Sequence, residues 1–173
     1  MATVVTNPAI GLGWQVTEYK ANLAVGGALT SSLVHAVTRT LALGVGTGAN
    51  NVDTVYSVRA SIASGVPLDV DLQGSLTSAL DGTVISFPLV VALLIVNNSS
   101  TVGQTLSFGV GANPVTSWMA GTTPTVIIGS GGWLSLAAPV SGYATVAGTG
   151  DIMRLTSASG TVVTDIVILG RQS

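Results

Sequence analysis

The chain has 173 residues, 47% of them hydrophobic and only 7% charged, against about 25% charged in an ordinary soluble domain. One lysine and four arginines spread along the chain, at a net charge of −2, exclude a basic patch for nucleic acid. With no cysteine there is no disulfide framework and no thiolate metal site, and so apolar a chain is not a disordered one.

Residues Met1 to Pro8 lack the basic start and apolar core of a signal peptide. Next comes an ambiguous stretch, Ala28 to Leu43. Leu29, Leu33, Val37 and Leu41 fit a helical step of four, but Thr30, Val34, Val37, Thr38 and Thr40 favour an extended chain, so a strand is expected over 33–43. No linker composition separates this region from the rest. The expected organisation is an N-terminal arm with the first strands at 1–42, followed by one β-sandwich domain at 43–173.

Tyr56, Val58, Ala60 and Ile62 alternate with Ser57, Arg59 and Ser61, and Val66, Leu68, Val70 and Leu72 alternate with Pro67, Asp69 and Asp71. Strict alternation marks strands buried on one face. A turn at Gly65 would make the two a hairpin, with Arg59 paired across the ladder to Asp69 or Asp71. The longest apolar run, Phe87 to Val96, covers ten residues. A helix crossing a membrane needs about 20, so this run reads as a strand buried on both faces or a strand at a subunit contact. Thr161 to Leu169 reads as a central strand with one inconsistent member, Asp165. Clusters of Gly, Pro, Asn, Asp and Ser recur along the whole chain, at about the 8 to 12 residue spacing of an all-β sandwich or barrel. The expected fold is all-β: a single antiparallel β-sandwich, jelly-roll-like, with an N-terminal arm.

Few residues carry chemistry. His35 is the only histidine, so a Ser/His/Asp triad would have to use it, and no Gly-x-Ser-x-Gly elbow marks a nucleophile. A histidine in a strand or interface is the simpler reading. Asp69 and Asp71 share a strand face, but calcium needs about six or more oxygen ligands and a glycosidase pair needs one acid of raised pKa in a cleft. Charges that protect a strand edge account for both. Asp81-Gly82 and Gly150-Asp151 are ordinary turn pairs. The run Gly44-Val-Gly-Thr-Gly-Ala-Asn50 lacks the third-glycine spacing of a dinucleotide loop and leads into no helix. Trp14, Trp118 and Trp133 could form a sugar-stacking platform, or serve as core or interface anchors, as Trp133 does inside an alternating segment. The expectation is no enzyme, no cofactor and no metal.

From Leu43 onward, several segments share an order. These are Gly44 to Asn50, Val58 to Ser64, Leu68 to Thr77, Thr83 to Phe87, Gln104 to Gly111, Gly131 to Pro139, Tyr143 to Asp151 and Asp165 to Gly170. The series resembles a family of small virion structural proteins of tailed bacteriophages, over about three quarters of the chain. It departs from that pattern at Ser130, where the family often has proline, and in carrying Ser, Thr or Ala where the family has strand charges. The resemblance implies a β-sandwich component of the particle with a structural role, of a kind commonly without an assigned activity. Together with the charge-poor composition, it leads to an expected virion location and an expected role as a capsid decoration protein bound across subunit junctions. The expected partners are the major capsid protein or other virion proteins and further copies of the chain, a trimer among the assemblies considered, with neither nucleic acid nor membrane. A tail, collar or fibre component and a virion-borne glycan-binding module are the alternatives. The expected contacts are Trp14, the strand residues Leu89, Val91 and Leu93, and Trp118 and Trp133, besides the N-terminal arm.

Overall fold

The computed structural model describes residues 9–20, 31–74, 76–78, 82–109, 111–119 and 125–172, with 9–20 and 31–40 described by their backbone. β1 (Ala9–Lys20) and β2 (Ser31–Ala42) pair antiparallel from Ala9 opposite Ala42 to Lys20 opposite Ser31. They form a two-stranded sheet of their own. The strand expected over 33–43 is therefore present to Ala42, its β-branched residues prevailing over the helical step of four.

β3 (Gly44–Val45) and β4 (Asn51–Val52) make a short parallel pair. The body follows as β5 (Thr54–Ala63), β6 (Leu68–Asp71), β7 (Leu89–Asn97), β8 (Leu106–Gly109), β9 (Thr125–Ile128), β10 (Trp133–Ala137), β11 (Tyr143–Ala144), β12 (Ile152–Ser157) and β13 (Thr161–Arg171). One sheet runs β10-β7-β13-β5, with β11 also on β7; a second runs β6-β12-β8-β9. All pairings within these two sheets are antiparallel. The sheets face each other across one core, a β-sandwich.

Period-two burial builds that core. On β13, Val162, Thr164, Ile166 and Ile168 are buried, and β12 buries Met153 and Leu155 from the other sheet. Phe87, Leu93, Ile95, Leu106 and Phe108 fill the space between them. Each such side chain contributes about 1.5–3 kcal/mol when fully buried.

The hairpin expected around Gly65 is not formed. Gly65 adopts a positive φ of 78° and carries the chain from one sheet to the other, so β5 lies in the large sheet and β6 in the small one. Both strands bury one face on the same core, and they do so from opposite sides. Arg59 accordingly pairs with Asp165 on β13, and Asp69 with Arg154 on β12. This also accounts for Asp165 in a central strand: β13 is flanked by β5 and β7, and its alternate face leaves the core.

A bulge shapes one end of the large sheet. Leu169 lies opposite Ala92 but Gly170 opposite Val90, so Val91 is the extra residue on β7. Gly170 must lack a side chain, because a Cβ there would collide with the Phe87 ring and lie 2.6 Å from the Leu89 carbonyl oxygen. Beyond the bulge a second cluster forms on the outside of this sheet. Leu43 and Val52 cover Val91, Ala92 and Leu169, with Leu41, Val55 and Val167 packed against them.

Candidate interaction surface

The two sheets present different faces to the outside. In the small sheet, register aligns Asp69, Arg154 and Gly109 with Thr125, and Thr156 and Ser107 with Ile127. That face is polar apart from Ile127, which is 68% exposed, and Arg154 grips Asp69 in a two-pronged ion pair, Nε and Nη2 each 2.6 Å from a carboxylate oxygen. The pair holds the Asp69 carboxyl below its ordinary range, chiefly through the Arg154 hydrogen bond.

The outer face of the large sheet is mostly apolar. Three rows cross it: Trp133, Val96, Asp165 and Arg59; Ser135, Leu94, Val167 and Ser57; Ala137, Ala92, Leu169 and Val55. The last row lies beneath the second cluster. The other two border an open concavity of about 590 Å³ lined by Ser57, Arg59, Leu94, Val96, Asp165 and Val167. Trp133 at its flank is 43% exposed and Val163 above it 37%. The charges on this face are held in place. Arg59 donates from Nε and Nη2 to the two oxygens of Asp165 at 2.6 and 2.7 Å, and Asn98 Nδ2 donates to the same carboxylate at 2.9 Å. Those hydrogen bonds, with the Arg59 charge, lower the Asp165 pKa to about 2.

The residues expected at contacts fall in several places. Val91 and Leu93 are fully buried, in the second cluster and the main core respectively. They act as core residues rather than contacts, because β7 lies between β10 and β13 and the bulge draws Val91 under Leu43 and Val52. Leu89 is half-buried at the start of β7, opposite Ala144 and Arg171. Trp118 is half-buried and packs against Phe108 and Tyr143, with ring centroids 5.7 and 6.3 Å away. The recess beside it, between Pro114, Met119 and Met153, has a volume of about 10 Å³, the room of about one water and far short of a sugar ring. Trp133 is on the apolar face. Trp14 lies opposite Val37 in β1, and its side chain is outside the described residues. Leu94 and Val96 belong to the apolar run read as a buried strand or a strand at a subunit contact, though they are not among the residues singled out from it, and Val167 lies outside the expected contacts. Their signal was there in β7 and β13, whose segments Leu89–Val96 and Ile166–Leu169 are apolar at successive positions and so apolar on both faces.

The groups considered for chemistry are dispersed. His35 lies opposite Val16 in the hairpin. Asp71 accepts the Gln73 backbone N–H at 3.1 Å, and Asp151 accepts that of Gly148 at 2.6 Å. Asp81 is outside the described residues. Among the described residues no three His, Cys, Asp or Glu side chains gather in one place. No family model, curated protein or solved structure matches the chain.

Proposed function

We propose that this protein is a structural subunit of a tailed-bacteriophage virion, a decoration protein that stabilises the capsid shell across subunit junctions. The observation that carries this reading is the apolar outer face of the large sheet in a chain with 7% charged residues. Solvent-facing surfaces of a free subunit normally mix charges of both signs, and buried contact surfaces are where charge is depleted. Strand order supports a jelly-roll topology: the first body strand β5 neighbours the last, β13, while β6 neighbours β12, and β7 and β8 follow as the next members of each sheet. Jelly rolls recur in capsid and lectin domains, an association of fold rather than of site. Between those two, the packing of Trp118 against Phe108 and Tyr143 favours the structural role over the glycan-binding one. In this reading the protein has no catalytic activity and no cofactor, and it acts as a homo-oligomer, a trimer where it sits at threefold junctions.

Quantitative mass spectrometry of purified particles tests the role. A decoration protein is expected at a copy number approaching that of the major capsid protein. A count of about three, six or twelve, the multiplicities of a tail axis, would place it on the tail, collar or fibre instead, and absence from particles would overturn the virion reading.

A further inference from the structure

We infer that the outer face of the large sheet, around Leu94, Val96 and Val167, is the docking site for the β1–β2 hairpin of a second copy of this chain. The inference deepens the subunit reading above and rests on it.

Each half of the contact is incomplete alone. Among the described residues β1 and β2 bond to each other and to no further strand, and a two-stranded hairpin by itself is marginal in water. Strand alternation and register set its two faces. Positions 10, 12, 14 and 16, which are Ile, Leu, Trp and Val, fall on one face with their partner positions 41, 39, 37 and 35, which are Leu, Arg, Val and His; positions 11, 13, 15, 36, 38 and 40, which are Gly, Gly, Gln, Ala, Thr and Thr, fall on the other. Along this stretch the first face holds the large apolar residues, with Arg39 and His35 among them, and the second holds small and polar ones.

The receiving face continues an existing contact. Leu41, at the base of the hairpin, belongs to the cluster that covers the Ala92–Leu169 row, and the concavity opens in the next two rows of the same face. On the sheet side docking covers charges that are already paired, since Arg59 and Asp165 satisfy each other, with Asn98 as a third member.

Area favours exchange over simple stacking of two faces. Strand spacing and rise give the sheet face about 400 Å² and the hairpin about the same. Two sheet faces alone fall well below a stable contact, whereas a subunit that gives its hairpin and receives another commits about 800 Å², the usual share per partner. With 7% charged residues, little on the chain opposes such association.

The test uses the purified full chain, its mass measured by light scattering after size exclusion and its fold by circular dichroism. Val167→Glu and Ser57→Glu put a charge on the face, the second from an exposed site that leaves the core intact; Trp14→Glu puts one on the hairpin; Val102→Glu, at a site 96% exposed, is the control. The wild type and the control are expected to be oligomers. Each face variant and the hairpin variant are expected to be folded monomers. A monomeric wild type, with the hairpin closing on its own subunit, would overturn the inference. So would a face variant or the hairpin variant that keeps the oligomer. Copy number in particles bears on the virion reading and solution mass on this contact, so the two can fail separately.

Discussion

Two adjacent asparagines at the end of β7 offer a sharp test of the fold. Asn97 is fully buried, and its Nδ2 lies 2.9 Å from the Gln104 carbonyl oxygen, 3.2 Å from that of Ile128 and 3.0 Å from that of Gly129. Its Oδ1 accepts the Ser99 backbone N–H at 3.0 Å. One side chain thereby ties the end of the large sheet to the 99–104 loop and to the end of β9. Asn97→Ala removes all of these bonds. The Gln104 and Gly129 carbonyls keep Ser130 Oγ and the Gly132 N–H as donors, whereas the Ser99 N–H loses its acceptor. At about 1 kcal/mol per hydrogen bond, and about 1–3 for a buried group left unsatisfied, the substitution should cost about 2–4 kcal/mol. In a domain of this size that lowers the melting temperature by about 5–15 °C. Asn98 is exposed and its side chain gives one hydrogen bond, to Asp165, so Asn98→Ala should change stability by less than about 1 kcal/mol. Urea unfolding and thermal melts of both variants make the comparison. Equal effects, or an Asn97→Ala loss below about 0.5 kcal/mol, would show that this corner is not built as described.

Asp165 should titrate near 2, and its depressed pKa means that its pairing stabilises the fold above the ordinary 3.8 and is lost as pH falls from there through about 2; carboxyl NMR should show this, with Arg59→Ala moving the value back towards 3.8. Arg171 is 5% exposed and donates from Nη1 to the Gly48 carbonyl and from Nη2 to that of Val140, both at 2.7 Å. Arg171→Met should therefore destabilise by about 2–4 kcal/mol and Arg171→Lys by less, since one ammonium replaces only part of a clamp that spans two loops; chemical denaturation that ranks lysine below methionine would refute the clamp. Gly170→Ala should cost about 1–3 kcal/mol by forcing both Phe87 and the Leu89 backbone carbonyl aside, measurable in the same assay, and a neutral result would mean that the bulge is not packed as tightly as the structure has it.

Much of this architecture is legible in the order of residues. Alternation in 56–62 and 68–72 identifies two strands and their buried faces, because the side-chain period of an extended chain is two wherever it lies. The scarcity of charge is likewise a property of composition alone. What alternation cannot carry is the identity of a strand's neighbour, which is why Arg59 and Asp69, close in sequence, take partners 106 and 85 residues away. Nor can it tell Val91 and Leu93 from Leu94 and Val96. In an unbroken apolar run every residue satisfies a core, and only the pairing with β13 and the bulge at Gly170 decide which of them face inward. Asn97 and Asn98 differ for the same reason. Local sequence makes both good turn residues, and the tertiary structure places one beneath the Ile128 and Gly129 carbonyls and the other beside Asp165.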